Sequence, residues 1–180
     1  MSYIFIRHAE KAYANNKGPR GSPRLDPPIV DLERNKNLVG INPSQIITSP
    51  MIRCRQTAEL NFPDRKYQTN VLLTEYLGNQ LEGFFGLKME PLKGDFEETT
   101  YELHQGFVFE DNTSDLYKRL IQARRSLPIP KEGEIIVIIT HGLCLEYLSN
   151  IFKREVQENP SLQFKFFGKG PKNGFLISLK

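Results

Sequence analysis

The chain has 180 residues, 39% of them hydrophobic and 25% charged, which suits one soluble domain of ordinary size built on a single core and leaves little material for a second. It holds no apolar stretch long enough for a membrane helix and no low-complexity tract, and its short apolar opening lacks the basic start and the length of a signal peptide. The expected location is therefore the cytoplasm. A net charge of +3 and a pI near 8.8 suit anionic ligands without identifying one.

Period and punctuation predict alternating strands and helices. Residues 2–7 read as a strand, followed by a polar loop to about residue 30 in which Lys17, Arg20 and Arg24 stand among Gly and Pro. That loop is either a solvated basic segment or a rim that attracts a negative substrate. "SQIITSP" (44–50) is a second short strand, closed by Pro50 at a place suited to a helix start. "MIRCRQTAEL" follows as a helix burying Met51, Cys54, Ala58 and Leu60. "KYQTNVLLTE" suggests a third strand running into Glu75.

The glycine-rich stretch from Gly78 to about Asn112 is the least regular and reads as loops with short helices. "SDLYKRLIQARRSL" is the clearest amphipathic helix, with Ser114 as its N-cap and Leu116, Leu120, Ala123 and Leu127 on one face. "IIVIIT" (135–140) is an uninterrupted β-branched run, the pattern of a strand buried on both faces. "HGLCLEYLSNIF" continues as a helix, and "QFKFF" with "GFLISL" forms a closing hairpin whose strand near 175–179 could stand as an exposed edge. The expected fold is a three-layer α/β/α sandwich with a mostly parallel sheet, one domain over residues 1–180. Cys54 and Cys144 fall in helical segments and are expected to be free, buried thiols.

In open α/β sheets ligands bind beyond the carboxyl ends of the strands. Three such ends carry unusual residues: Arg7 and His8, Ser49 leading into Arg53, and His141 with Gly142. They converge if the strands are neighbours. His104, alone in irregular sequence, reads as structural. Arginine offers a rigid fork of donors matched to phosphate, and a helix N-terminus adds backbone N–H groups. A metal is the competing use of paired histidines, but no Cys, Asp or Glu stands at ligand spacing beside them and Arg7 opposes a cation, so neither metal nor cofactor is expected.

"IRHAEK", "TSPMIRCRQTAEL" and "IITHGLCLEYL" together resemble, in order, the three motif boxes of the histidine phosphatase superfamily (phosphoglycerate mutase-like). Ala9 stands where that family usually has Gly, the smallest change available. The resemblance implies a phosphohistidine mechanism. His8 would be the nucleophile, with its other ring nitrogen held by the backbone, and a reference pKa near ~6.5 leaves it neutral at pH 7. Arg7, Arg53, His141 and Gly142 would hold the phosphoryl oxygens. Because Gly142 rather than Asp follows His141, the resemblance is to the branch whose proton donor is a glutamate after the second box. Glu75 matches that place, with Glu82 as its rival. Glu10 would orient the site, pair with Arg53 or form a salt bridge on the rim.

The implied activity is metal-independent hydrolysis of phosphate monoesters. Mutase chemistry shares the same core, but the mutases it resembles are usually longer, with an insertion that shields the phosphohistidine. A non-catalytic module that binds a phosphorylated partner is the reading of another class. Expected partners are small-molecule or protein phosphate esters. A nucleic acid enters only as a phosphorylated substrate, since no basic–aromatic motif is present, and no membrane partner is expected. Specificity would come from the loops at 12–40 and 78–112, with Lys17, Arg20 and Arg24 in the first and Phe84, Phe85 and Phe96 in the second.

Overall fold

The computed structural model describes residues 1–9, 29, 33–75 and 113–180. Six strands form one sheet: β1 (Ser2–Arg7), β2 (Gln45–Thr48), β3 (Gln68–Thr69), β4 (Ile135–Thr140), β5 (Leu162–Phe166) and β6 (Phe175–Leu179), in the order β3-β2-β4-β1-β6-β5. The β3-β2-β4-β1 part is parallel, and β6 and β5 add an antiparallel edge. Three helices are described: α1 (Ile52–Asn61), α2 (Thr113–Ser126) and α3 (Gly142–Glu158).

The apolar runs of β1 and β4 explain the layering. Side chains alternate faces along a strand. Tyr3, Phe5, Ile136 and Ile138 therefore enter one core with Leu116, Leu120, Ala123 and Leu127 of α2 and its C-terminal end and with Leu145, Leu148 and Phe152 of α3. Ile4, Ile6, Val137 and Ile139 enter the other core with Ile46 and with Cys54 and Ala58 of α1. Helices thus cover both faces of a mostly parallel sheet. In the first core Phe5 stacks on Phe175 with ring centroids 4.5 Å apart. Cys54 and Cys144 are buried and free, one in each core.

Three expectations change. The third strand stops after Gln68–Thr69, because the Asn70 side chain accepts a hydrogen bond from the Leu72 amide and turns the chain into a 3₁₀ turn, Val71–Leu73. Glu75 therefore closes no strand. Helix α2 begins at Thr113, so Ser114 lies inside its first turn rather than at the N-cap. The strand at 175–179 is not an edge, because β1 and β5 flank it; β5 is the edge instead. In addition, Leu60 is only half-buried, and Met51 is buried at the N-cap of α1 rather than within it.

Gly174 permits the turn into β6. Its φ is 107°, and a Cβ there would lie 2.2 Å from the Phe5 carbonyl oxygen. Only glycine accepts both conditions. No described helix is long and apolar enough to cross a membrane.

Candidate active site

Register brings the three marked strand ends together. Arg7 pairs with Thr140, and Thr48 with Ile139, so β1, β4 and β2 finish nearly level. The ladders then run one residue further, with the His8 amide donating to the Thr140 carbonyl at 3.0 Å and the Ser49 amide to the Ile139 carbonyl at 3.0 Å. Beyond this line the chain turns into loops and helices, and their first side chains face each other.

His8 is buried, and its Nδ1 lies 2.7 Å from the Ala9 carbonyl oxygen. A carbonyl only accepts, so that nitrogen carries the proton and Nε2 presents its lone pair. Consistently, Arg53 Nε donates to His8 Nε2 at 3.3 Å. Both contacts describe a neutral ring. The Ala9 backbone is fixed from its other side as well, its amide donating to Thr57 Oγ1 at 2.9 Å, while Thr57 in turn donates to the Arg53 carbonyl at 2.7 Å. One turn of α1 thus positions both the histidine and the arginine.

Arg53, 1% exposed, stands in the first turn of α1. Its guanidinium also reaches Glu75, with Nη2 donating to Oε2 at 2.5 Å. Glu75 Oε2 is 3.5 Å from Nδ1 of His141, which is fully buried and stands at the N-cap of α3. Nε2 of His141 shares a 2.9 Å hydrogen bond with Ser49 Oγ and lies 3.5 Å from Cys54 Sγ. The two imidazole centroids are 5.2 Å apart. Arg7 is exposed and lies along the start of α3, where a Cβ on Gly142 would meet its Nε at 3.5 Å, an ordinary contact. Steric space therefore does not dictate glycine at 142.

His8, Arg7, Arg53, Glu75, His141 and Gly142 are accordingly gathered in one place. Glu10, Lys17, Arg20, Arg24, Glu82, Phe84, Phe85, Phe96 and His104 lie outside the described residues. One expectation is corrected here. Glu75 does stand beside both histidines, and ligand atoms of His8, Glu75 and His141 lie within 4.8 Å of one another. The chain spacing hid this because Glu75 arrives through the 3₁₀ turn. The Arg53 guanidinium donates to both His8 and Glu75.

Sequence reasoning marked Ser49 only as a strand end and overlooked Thr57; their roles depend on contacts made across the sheet. Burial pushes the Cys54 thiol well up and the Cys144 thiol to about 11, so both remain protonated at neutral pH. Beside His8 and Arg7 opens a cavity of about 730 Å³, rimmed by Arg34, Lys36 and Lys172 with Glu33 the acidic group among them. Asn35, Asn37, Asn61 and Asn173 add uncharged polar groups and Phe167 an apolar one to a net positive lining.

The family model of the histidine phosphatase superfamily (branch 1) matches residues 3–165. Among solved structures, the chain is similar to YhfR of Bacillus stearothermophilus, at 20% identity over 85% of this chain and 80% of that one, with a TM-score of 0.56. It is also similar to TTHB049 of Thermus thermophilus, at 22% identity over 83% and 84% of the two chains (TM-score 0.53). A phosphoglycerate mutase from Thermus thermophilus is similar at 21% identity over 83% of each chain (TM-score 0.53). At such identities the likeness is one of fold. No curated protein matches the chain. With the family model spanning residues 3–165 and all three motif boxes, the chain belongs to branch 1 of the histidine phosphatase superfamily.

Proposed function

We propose that the chain hydrolyses phosphate monoesters without a metal, through a phosphohistidine on His8. Family membership supports phosphoryl transfer of phosphatase or mutase type. The observation that carries the finer reading is the state of His8: its proton is held on Nδ1 by the Ala9 carbonyl, and its Nε2 lone pair faces the arginine and the carboxylate.

An ester phosphoryl group entering this space takes over the N–H groups of Arg53 and meets Arg7, His141 and the amide end of α3. Phosphoryl transfer depends mostly on such a fixed positive field. Nε2 of His8 forms the bond to phosphorus as the bond to the ester oxygen breaks. As Arg53 turns to the phosphoryl oxygens, the released Glu75 carboxylate takes up a proton from solvent, delivers it to the departing oxygen and becomes a carboxylate again. That carboxylate then accepts a proton from water as the water oxygen attacks phosphorus. Inorganic phosphate leaves, His8 recovers its lone pair and Glu75 its proton. The rest of the substrate extends toward the cavity rimmed by Arg34, Lys36 and Lys172, which favours anionic esters.

A mutase reading draws on the same six residues and on the similarity to the Thermus thermophilus phosphoglycerate mutase. The two readings part on water. The experiment is p-nitrophenyl phosphate turnover with excess chelator, for wild type and His8→Ala, beside isomerisation of a phosphoglycerate with a bisphosphate primer. Hydrolysis that survives chelation, needs His8 and exceeds isomerisation supports the phosphatase. Isomerisation outpacing hydrolysis supports the mutase, and phosphate-ester binding with neither reaction supports a binding module.

A further inference from the structure

Glu75 poses a positional problem. A proton donor must be held within a fraction of an ångström, yet Glu75 follows a two-residue strand and a 3₁₀ turn, outside any ladder of backbone hydrogen bonds. The three carbonyls that precede it are instead taken by side chains from three other elements. Arg119 of α2 donates through Nη1 to the Leu72 oxygen at 3.2 Å and to the Thr74 oxygen at 2.7 Å. Thr140, the last residue of β4, donates to the Leu73 oxygen at 2.6 Å. Cys144 of α3 donates through sulfur to the Thr74 oxygen at 3.2 Å.

Arg119 is the unusual member. It is 1% exposed, and its Nε and Nη2 make no hydrogen bond among the described residues. A buried guanidinium with one of its three nitrogens engaged among the described residues is expensive for the fold. An apolar residue would fill that volume at less cost. The nitrogen that is engaged grips the peptide immediately before Glu75.

We propose that Arg119, with Thr140, is a positioning residue that holds the Leu72–Thr74 turn so that the Glu75 carboxyl sits against the reacting oxygen. The inference rests on Glu75 as proton donor, and it assigns to α2 and β4 a part in the reaction that neither plays by contact with substrate. A displacement of about 1 Å at such a group costs on the order of 10²-fold.

The test compares an alkyl phosphate, whose leaving oxygen needs the proton, with 2,4-dinitrophenyl phosphate, whose leaving group departs without one. It reads kcat/KM, which reports the phosphorylation half-reaction alone. Arg119→Lys and Thr140→Val are each expected to lower kcat/KM for the alkyl ester roughly 10-fold to 100-fold and for the dinitrophenyl ester less than 3-fold. Glu75→Gln should show the same selectivity, and Arg119→Lys added to Glu75→Gln should cost nothing more, since both act through one group. Equal losses on both esters, or losses that add to those of Glu75→Gln, would make Arg119 a purely structural residue and overturn the inference. If Glu75→Gln itself treats the two esters alike, the proton-donor reading fails and this inference with it. If Arg119→Lys does not fold, Thr140→Val alone decides by the same ratio.

Discussion

Arg53→Lys is the substitution that separates charge from geometry. Arg53 touches two groups at once, His8 through Nε at 3.3 Å and Glu75 through Nη2 at 2.5 Å. Lysine keeps the positive charge and most of the buried stem, but a single nitrogen cannot hold both contacts or present a planar fork to phosphoryl oxygens. Leaving one buried acceptor without its charged donor, and losing a preorganised donor to the transition state, should lower kcat for p-nitrophenyl phosphate by about 10²-fold, or about 2.7 kcal/mol of barrier. The fold should suffer less than with Arg53→Ala, which removes the guanidinium that Glu75 faces among the described residues. The assay is steady-state hydrolysis beside a thermal melt of each variant. An Arg53→Lys protein within 3-fold of wild type would show that charge alone suffices, and would refute the argument from the guanidinium's two-handed grip.

Further outcomes follow from the same geometry. Gly174→Ala should cost about 2–5 kcal/mol, combining a left-handed backbone with a Cβ 2.2 Å from the Phe5 carbonyl oxygen. A melt should show this as a fall of roughly 5–15 °C, and a fall under 2 °C would contradict the contact. The Cys144 thiol, raised by burial from 9.0 to about 11, makes stability depend on alkaline pH. The unfolded thiol loses its proton first, so the contribution is whole below pH 9 and fades as the pH rises through 11. Roughly 2–3 kcal/mol should be lost over that window relative to Cys144→Ala, read by urea unfolding at a series of pH values, and parallel curves for the two proteins would be inconsistent with the burial. Replacing both Arg34 and Lys36 by Ala should raise KM for a substrate with a second anionic group more than for p-nitrophenyl phosphate, whereas equal KM changes would remove that cavity from specificity.

The architecture was readable where one residue type dominates a short run. "IIVIIT" admits little except a strand buried on both faces, and its neighbours on either side are β1 and β2, the two that had to flank it for the site to close. Leu116, Leu120, Ala123 and Leu127 repeat at the helical interval and are all buried. Residues at strand ends were legible for the same reason, since a buried strand dictates where its chain emerges and His8, Ser49 and His141 follow directly.

Glu75 does lie against Arg53 and His141, but the strand expected to run into it stops at Thr69. "KYQTNVLLTE" carries the β-branched and apolar content of a strand, and a single side-chain acceptor, Asn70, outweighs it by capping a 3₁₀ turn. That this same carboxylate comes within 4.8 Å of both histidines could not be read from spacing, because a turn creates the proximity and leaves no period in the chain. Arg119 escaped notice because an arginine in an amphipathic helix is normally solvated, and its burial follows from carbonyls that lie more than forty residues earlier. Interactions between distant elements, unlike period and capping, leave no mark in a short window of sequence.

The most direct test of the central claim is to trap the intermediate. Enzyme mixed with substrate in excess chelator is quenched and examined by intact mass and by peptide mapping for phosphate that is stable to alkali and lost in acid. The account predicts one phosphoryl group on His8 in wild type and none in His8→Ala. Phosphate on another residue, or turnover by His8→Ala at the wild-type rate, would contradict it.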